Sequence, residues 1–162
     1  MRILEADKLV GDRVPKDSQV ADRFASKASK EQSDKHHMER APYLTDIDYR
    51  LPDMEKMQVD VAALSCAPRQ FYYSTDPTLG HETSQIVNNG ISKVVNENKK
   101  THVGLGTVPL QDTDLAVKEL KRCVNELGFK GIQIGARIKE DEELSAERLY
   151  PFWEAVQELN IP

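Results

Sequence analysis

Residues 102–135 of the chain, HVGLGTVPLQDTDLAVKELKRCVNELGFKGIQIG, read as strand, helix, strand. His102–Val108 is a short aliphatic run closed by Pro109, which has no amide to give to a ladder. Asp112 or Asp114 then offers a carboxylate to the free amides of a helix start. Ala116, Val117, Leu120, Val124 and Leu127 recur at the spacing by which a helix buries one face. Gly128 stands where a left-handed residue ends such a helix. Gly131–Gly135 opens the next strand. A helix between two aliphatic strands implies parallel pairing, because the helix carries the chain back to the start of the sheet.

The alternation extends both ways. Upstream, Val59–Ser65 is a nearly continuous apolar run, the mark of a strand covered on both faces. A loop holding Gln70–Ser74 and Asp76-Pro77 follows, and then an amphipathic helix over Ile86, Val87, Ile91, Val94 and Val95. Gly90 weakens that helix by about 1 kcal/mol relative to alanine. Earlier still, Leu51, Met54 and Met57 share one face of a short helix, with Pro52 in its first turn and Thr45, Asp46 or Asp48 as its cap. Downstream, Ser145 predicts the N-cap of a helix that buries Leu149, Phe152, Trp153, Val156 and Leu159. Three β-α units fit a (β/α)8 barrel or an open doubly wound sheet. No glycine-rich phosphate loop follows any strand, which weighs against a nucleotide-binding sheet. A further strand is due at Asn160-Ile161-Pro162, so the expectation is part of a catalytic domain. Its unpaired edge after Ile132–Gly135 would favour association.

Composition bounds the partners. The 162 residues carry a net charge of −5, with 39% hydrophobic and 30% charged residues. That balance argues against a nucleic-acid surface, which needs clustered Lys and Arg. No apolar run is long enough to span a membrane, and Met1–Asp7 has no apolar signal core. Cys66 and Cys123, both among apolar neighbours, read as buried thiols in a reducing compartment, so the expectation is a cytoplasmic protein. Residues 1–44 read as a poorly ordered segment before a domain at 45–162. Within them, Gly11–Pro15 is turn chemistry, and Ser26–Lys35, polar and without periodicity, reads as a loop.

Several strings resemble one family. Tyr49–Val61, YRLPDMEKMQVDV, resembles the R-x-x-x-M-D-x-x-G-V-D segment of the amidohydrolase-related decarboxylases, among them the aminocarboxymuconate-semialdehyde decarboxylases. Leu64–Pro68 (LSCAP) resembles that family's strand end, Gly104–Asp112 (GLGTVPLQD) its G-x-x-x-V-P-L-Q-D signature, and Glu126–Gly135 (ELGFKGIQIG) its G-x-x-G-I-Q-I-G signature. Pro151–Ala155 with Asn160-Ile161-Pro162 resembles the helix and turn before a metal-binding strand. The resemblance implies an α/β fold, a partial (β/α)8 barrel of the metal-dependent hydrolase type. It implies a metal-dependent, non-oxidative decarboxylase of a small unsaturated or aromatic carboxylic acid. One divalent metal, usually zinc, would sit at the strand ends, and a homodimer is common in the family. The family's H-x-H is absent from this sequence, so no metal ligand and no catalytic residue is assigned. The chain is expected to hold no metal tightly and to be inactive alone. The same strings suit a hydrolase or hydratase of the superfamily, or a non-catalytic remnant that binds a partner.

The substrate-binding candidates are Arg40, Ser65, Pro68 and Gln133. For Arg40 the basis is the resemblance: the family places a substrate-carboxylate arginine in a similar position before the short helix, with somewhat different spacing, and a guanidinium there would grip a carboxylate bidentately. Ser65 and Pro68, with Cys66, follow one strand, and Gln133 and Gly135 end another, where barrel sites form. Tyr72 and Tyr73 read as pocket cover or aromatic packing. Arg50 reads as a helix brace, Asn88 as structural, Trp153 as a core anchor and His102 as structural at a strand start. His81 falls in the loop after the first strand, and His36-His37 in a solvated polar stretch.

Overall fold

The computed structural model describes residues 1–14, 26–139 and 142–162. Its helices are α1 (Leu4–Arg13), α2 (Lys27–Thr45), α3 (Leu51–Lys56), α4 (Pro77–Glu97), α5 (Thr113–Asn125) and α6 (Tyr150–Glu158), and its strands are β1 (Ala62–Leu64), β2 (His102–Gly106) and β3 (Gly131–Ile132). The strands form one parallel sheet in the order β1-β2-β3. Register places Ala63 beside Val103 and Leu105 beside Gly131.

The two faces of the sheet differ. His102, Gly104 and Gly106 are buried against the helices. A Cβ on Gly104 would lie 2.4 Å from the Phe129 ring, and one on Gly106 2.7 Å from the Cys123 sulfur. These glycines let the helical layer close onto β2. The alternate residues Val103 and Leu105 are only half-buried, Ala63 is exposed, and Val61 is 54% exposed. In a closed barrel this second face turns inward.

The core lies on the helical side in two clusters. One gathers Val108, Leu110, Ala116, Leu120, Leu149, Phe152 and Ala155 around α5 and α6. The other gathers Ile3, Ala6, Leu64, Val87, Ile91, Cys123 and Phe129 under α1 and α4. Phe71 touches both.

The caps expected around α5 are present at both of its ends. Asp112, not Asp114, caps α5 by accepting from Leu115 N at 2.9 Å. Asp76 caps α4 through Thr78 N and Leu79 N. Gly128 takes φ +68°, the left-handed conformation that glycine adopts without strain.

Other expectations are corrected. The loop read over Ser26–Lys35 is the first half of α2, capped by the Ser26 hydroxyl on Ser29 N. That helix has no apolar stripe, so periodicity cannot see it. Good helix formers and i,i+4 pairs such as Lys27–Glu31 and Gln32–His36 sustain it. Gly11–Arg13 are helical rather than a turn, and Pro15 lies outside the described residues. Met57 is 64% exposed, one residue past the end of α3, where Met54 alone is buried. The N-cap of α3 is Arg50, so none of the three expected caps serves it, and Asp46 instead accepts from Asp48 N. Ser145 caps nothing, because a short 3-10 turn, Glu147–Leu149, leads into α6. All three strands are shorter than their apolar runs. The edge expected to be bare beyond β3 is met at one point, where Ile132 N donates to Pro162 O at 3.0 Å. No described helix is long and apolar enough to cross a membrane.

Candidate functional site

A parallel sheet aligns its carboxyl ends, so the residues just past β1, β2 and β3 share one rim. These are Ser65 and Cys66, Thr107 and Val108, and Gln133 to Gly135. Ser65 is half-buried, and its carbonyl accepts from the amino group of Met1. Cys66 is buried, and burial pushes its thiol up, with Thr107 acting the other way. The thiol is therefore protonated at neutral pH and a poor nucleophile. Pro68 is exposed at the start of a 3-10 turn, Pro68–Gln70.

The loop after β1 is held from two sides. Gln70, 1% exposed, accepts from Ile3 N at 2.9 Å and donates to Ile3 O at 2.7 Å. The Tyr72 hydroxyl donates to Asp7 while its backbone takes φ 50°. Burial and this acidic partner raise the Tyr72 phenol well above its usual range. Across the rim, Phe71 and Tyr73 stack with centroids 5.5 Å apart. The Tyr73 hydroxyl accepts from Gly135 N at 3.2 Å. A Cβ on Gly135 would lie 3.1 Å from the Tyr73 ring, so the glycine admits the aromatic pair.

The Gln133 main-chain N donates to Gly106 O at 2.8 Å, and the residue is half-buried. Its side-chain oxygen is buried and has no hydrogen-bond partner among the described residues. From the end of β2, the Gln111 amide reaches Tyr72 O at 3.3 Å and Thr75 O at 3.4 Å. The rim thus carries a stacked aromatic pair, the Gln133 side-chain amide and the Tyr73 hydroxyl.

The structure brings Ser65 and Gln133 to this rim and leaves Pro68 exposed in the turn that follows β1. Arg40 is exposed on α2, and no hydrogen bond or ion pair joins it to Ser65, Pro68 or Gln133. Arg50 braces α3 against α2 by donating to Tyr43 O at 2.5 Å. His102 is buried at the start of β2, and burial lowers its imidazole, with Arg50 adding to the effect. His81 lies in α4 rather than in a loop, with its Nε2 3.7 Å from a Glu119 oxygen on α5. His36 is exposed and bonded to Gln32, and the side chain of His37 lies outside the described residues. Trp153 donates to Leu144 O at 3.0 Å.

Sequence reasoning missed Glu119, a fully buried charge held bidentately by Arg122 at 2.7 and 2.9 Å. Its signal was available: an acid inside an apolar stripe, three residues past Ala116 and one before Leu120. The described residues contain no group of three or more His, Cys, Asp or Glu that would hold a metal ion. A metal centre does not fit on them alone.

The amidohydrolase family model matches residues 33–162. A 2-amino-3-carboxymuconate-6-semialdehyde decarboxylase of Dictyostelium discoideum is 37% identical over 114 residues, 70% of this chain and 32% of its own. A gamma-resorcylate decarboxylase of Polaromonas sp. is 33% identical over 137 residues, 80% of this chain and 41% of its own. The crystal structure of a dihydroxybenzoic acid decarboxylase from Polaromonas sp. JS666, with bound manganese and the inhibitor 2-nitroresorcinol, superposes with a TM-score of 0.67 at 26% identity. That match covers 77% of this chain and 43% of the other. The chain therefore spans less than half the length of these relatives.

Proposed function

We propose that this chain, a member of the amidohydrolase family, is the amino-proximal part of a metal-dependent, non-oxidative decarboxylase of a small aromatic or unsaturated carboxylic acid, and is inactive alone. The observation that carries the proposal is the sequence match to two decarboxylases over 70% and 80% of the chain, joined by the fold match to a solved decarboxylase over 77% of it. A divalent metal, when bound in the complete protein, would supply the electrophile. Zinc is the expectation from the sequence strings and manganese the ion in a solved relative. Its ligands would come from outside the described residues.

This chain's own share is binding and orientation. Phe71, stacked on Tyr73, offers a ring face to a planar substrate. Gln133 offers its unpaired oxygen to a substrate hydroxyl or amine. Ser65 and Pro68 would line the same pocket. Arg40 would grip the carboxylate if α2 lies over the pocket in the complete protein. A homodimer belongs to the same proposal, and sedimentation of the complete protein tests it.

The test is carbon dioxide release from 2,6-dihydroxybenzoate and from a carboxylated muconate semialdehyde, with zinc or manganese supplied. The complete protein should release it with either substrate class, and the 162-residue chain should not. Release at enzymatic rates from the chain alone would overturn the inactivity. A hydrated or hydrolysed product that keeps its carboxylate would overturn the decarboxylase reading in favour of a hydratase or hydrolase.

A further inference from the structure

We infer that Asn88, in the outer helical layer, is a positioning residue that fixes the carboxyl end of β2 and, through it, the rim of the candidate site. Asn88 is fully buried in the middle of α4. Its side-chain oxygen accepts from Thr107 N at 2.8 Å, and its side-chain amide donates to Thr107 O at 2.8 Å. One amide thus satisfies both main-chain groups of the first residue past β2, where the ladder ends and those groups would be orphaned. The second amide hydrogen goes to Glu119 Oε1 on α5 at 2.7 Å. Arg122 in turn holds both oxygens of Glu119, and also reaches Asn89 at 2.9 Å. The amide group cannot flip, because the carboxylate accepts only and so dictates which end of Asn88 is the donor.

From Thr107 the chain turns through Val108, Pro109 and Leu110 to Gln111. Gln111 crosses Gly80 in the first turn of α4, where a Cβ would meet its amide nitrogen at 1.9 Å. It then donates to Tyr72 O, Thr75 O and the Thr75 hydroxyl. Arg122, Glu119, Asn88, Thr107 and Gln111 therefore form a continuous path from the outside of the barrel wall to the loop carrying Phe71 and Tyr73. The inference rests on the strand ends being the site, but its test does not depend on any reaction.

The experiment is residue-resolved amide hydrogen exchange on the 162-residue chain. In Asn88→Ala, exchange at Thr107 should rise roughly tenfold to a hundredfold, while β2 and α6 amides keep their protection. Asn88→Asp should also lose protection, because it puts a second carboxylate beside Glu119. Adding Glu119→Gln to that variant should restore it. The new amide on α5 would donate to one oxygen of the new carboxylate on α4 and leave the other oxygen for Thr107 N. Rescue of this kind would not follow from a role in packing alone. If Asn88→Ala does not fold, Gln111→Ala reads the other end of the path: the Thr75 amide, which donates to the Tyr72 carbonyl that Gln111 also holds, should lose protection while Thr107 keeps it. An unchanged Thr107, a rise shared equally by α6, or a double variant no better than Asn88→Ala would overturn the inference, as would an unchanged Thr75 in Gln111→Ala.

Discussion

Replacing Gly104 by alanine tests how closely β2 seats on the helical layer. The added methyl would sit 2.4 Å from two carbons of the Phe129 ring. Ordinary carbon contacts begin near 3.5 Å, so the ring or the strand must give by roughly 1 Å. Neither moves freely. Phe129 is 3% exposed, and the adjacent Lys130 N is tied to Gly104 O at 2.9 Å. Overpacking of this kind costs about 1–3 kcal/mol, which for a chain of this size lowers the melting temperature by roughly 2–12 °C. Circular dichroism melts and urea titrations of Gly104→Ala measure the loss. Pairing it with Phe129→Leu separates the clash from other causes: the branched side chain vacates the space, so the double variant should be less destabilised than the two single losses predict. An unchanged urea midpoint in Gly104→Ala, or losses that simply add in the double variant, would refute the reasoning.

Other outcomes follow from the same structure. Gly128→Ala has open space around its methyl but forces alanine to φ +68°, and should cost about 1 kcal/mol by urea titration. Gly11→Ala, in helix α1 with no atom within 4 Å, should instead stabilise by about 0.5–1 kcal/mol. His102 is held neutral by burial, so the unfolded chain binds the proton more readily. Stability should fall as pH drops below about 6.5, and His102→Gln should flatten that slope in urea titrations. The Met1 amino group, lowered by burial from 8.0 to about 6, adds a loss of the same sign as pH falls between those values, and acetylation should remove it. Manganese at about a hundred times the dissociation constant of a weak site would add about 2.7 kcal/mol. The described residues hold no ligand cluster, so the melting temperature should not move with added manganese.

The elements legible in the sequence were those whose signal is local. Asp112, the stripe through Ala116 and Leu120, and the left-handed Gly128 each act within a few residues, and the structure keeps all of them. Helix α2 escaped because a solvated helix has no apolar period to detect. Ser145 misled because a capping residue looks the same whether or not the chain turns after it. For the site, strand-end position placed Ser65 and Gln133 at the rim, since a parallel sheet aligns its ends automatically. His81 was read into the loop after the first strand, but that segment is already helix α4, which carries it to Glu119. The Asn88–Thr107 clamp joins residues 19 apart in sequence, and no spacing rule encodes it.

One disagreement between sequence and structure argues for the partial barrel. Val59–Ser65 is written as a strand covered on both faces, with almost no polar alternation. Here it is covered on one. Leu64 is 1% exposed against the helices, while Val61 is 54% exposed and Ala63 open beside the half-buried Val103 and Leu105. A strand selected for one solvated face would alternate apolar with polar residues, because burying a valine side chain is worth about 1.5–3 kcal/mol and exposing one gains nothing. The residues that face outward are the ones a closed barrel packs into its centre. Polar substitution tests this directly. Val61→Thr and Ala63→Ser should leave the stability of the 162-residue chain within about 0.5 kcal/mol, as at surface positions, yet destabilise the complete protein by more than about 1 kcal/mol, as in a core. Equal effects in the two would mean that the face stays open, and that the apolar run has another cause.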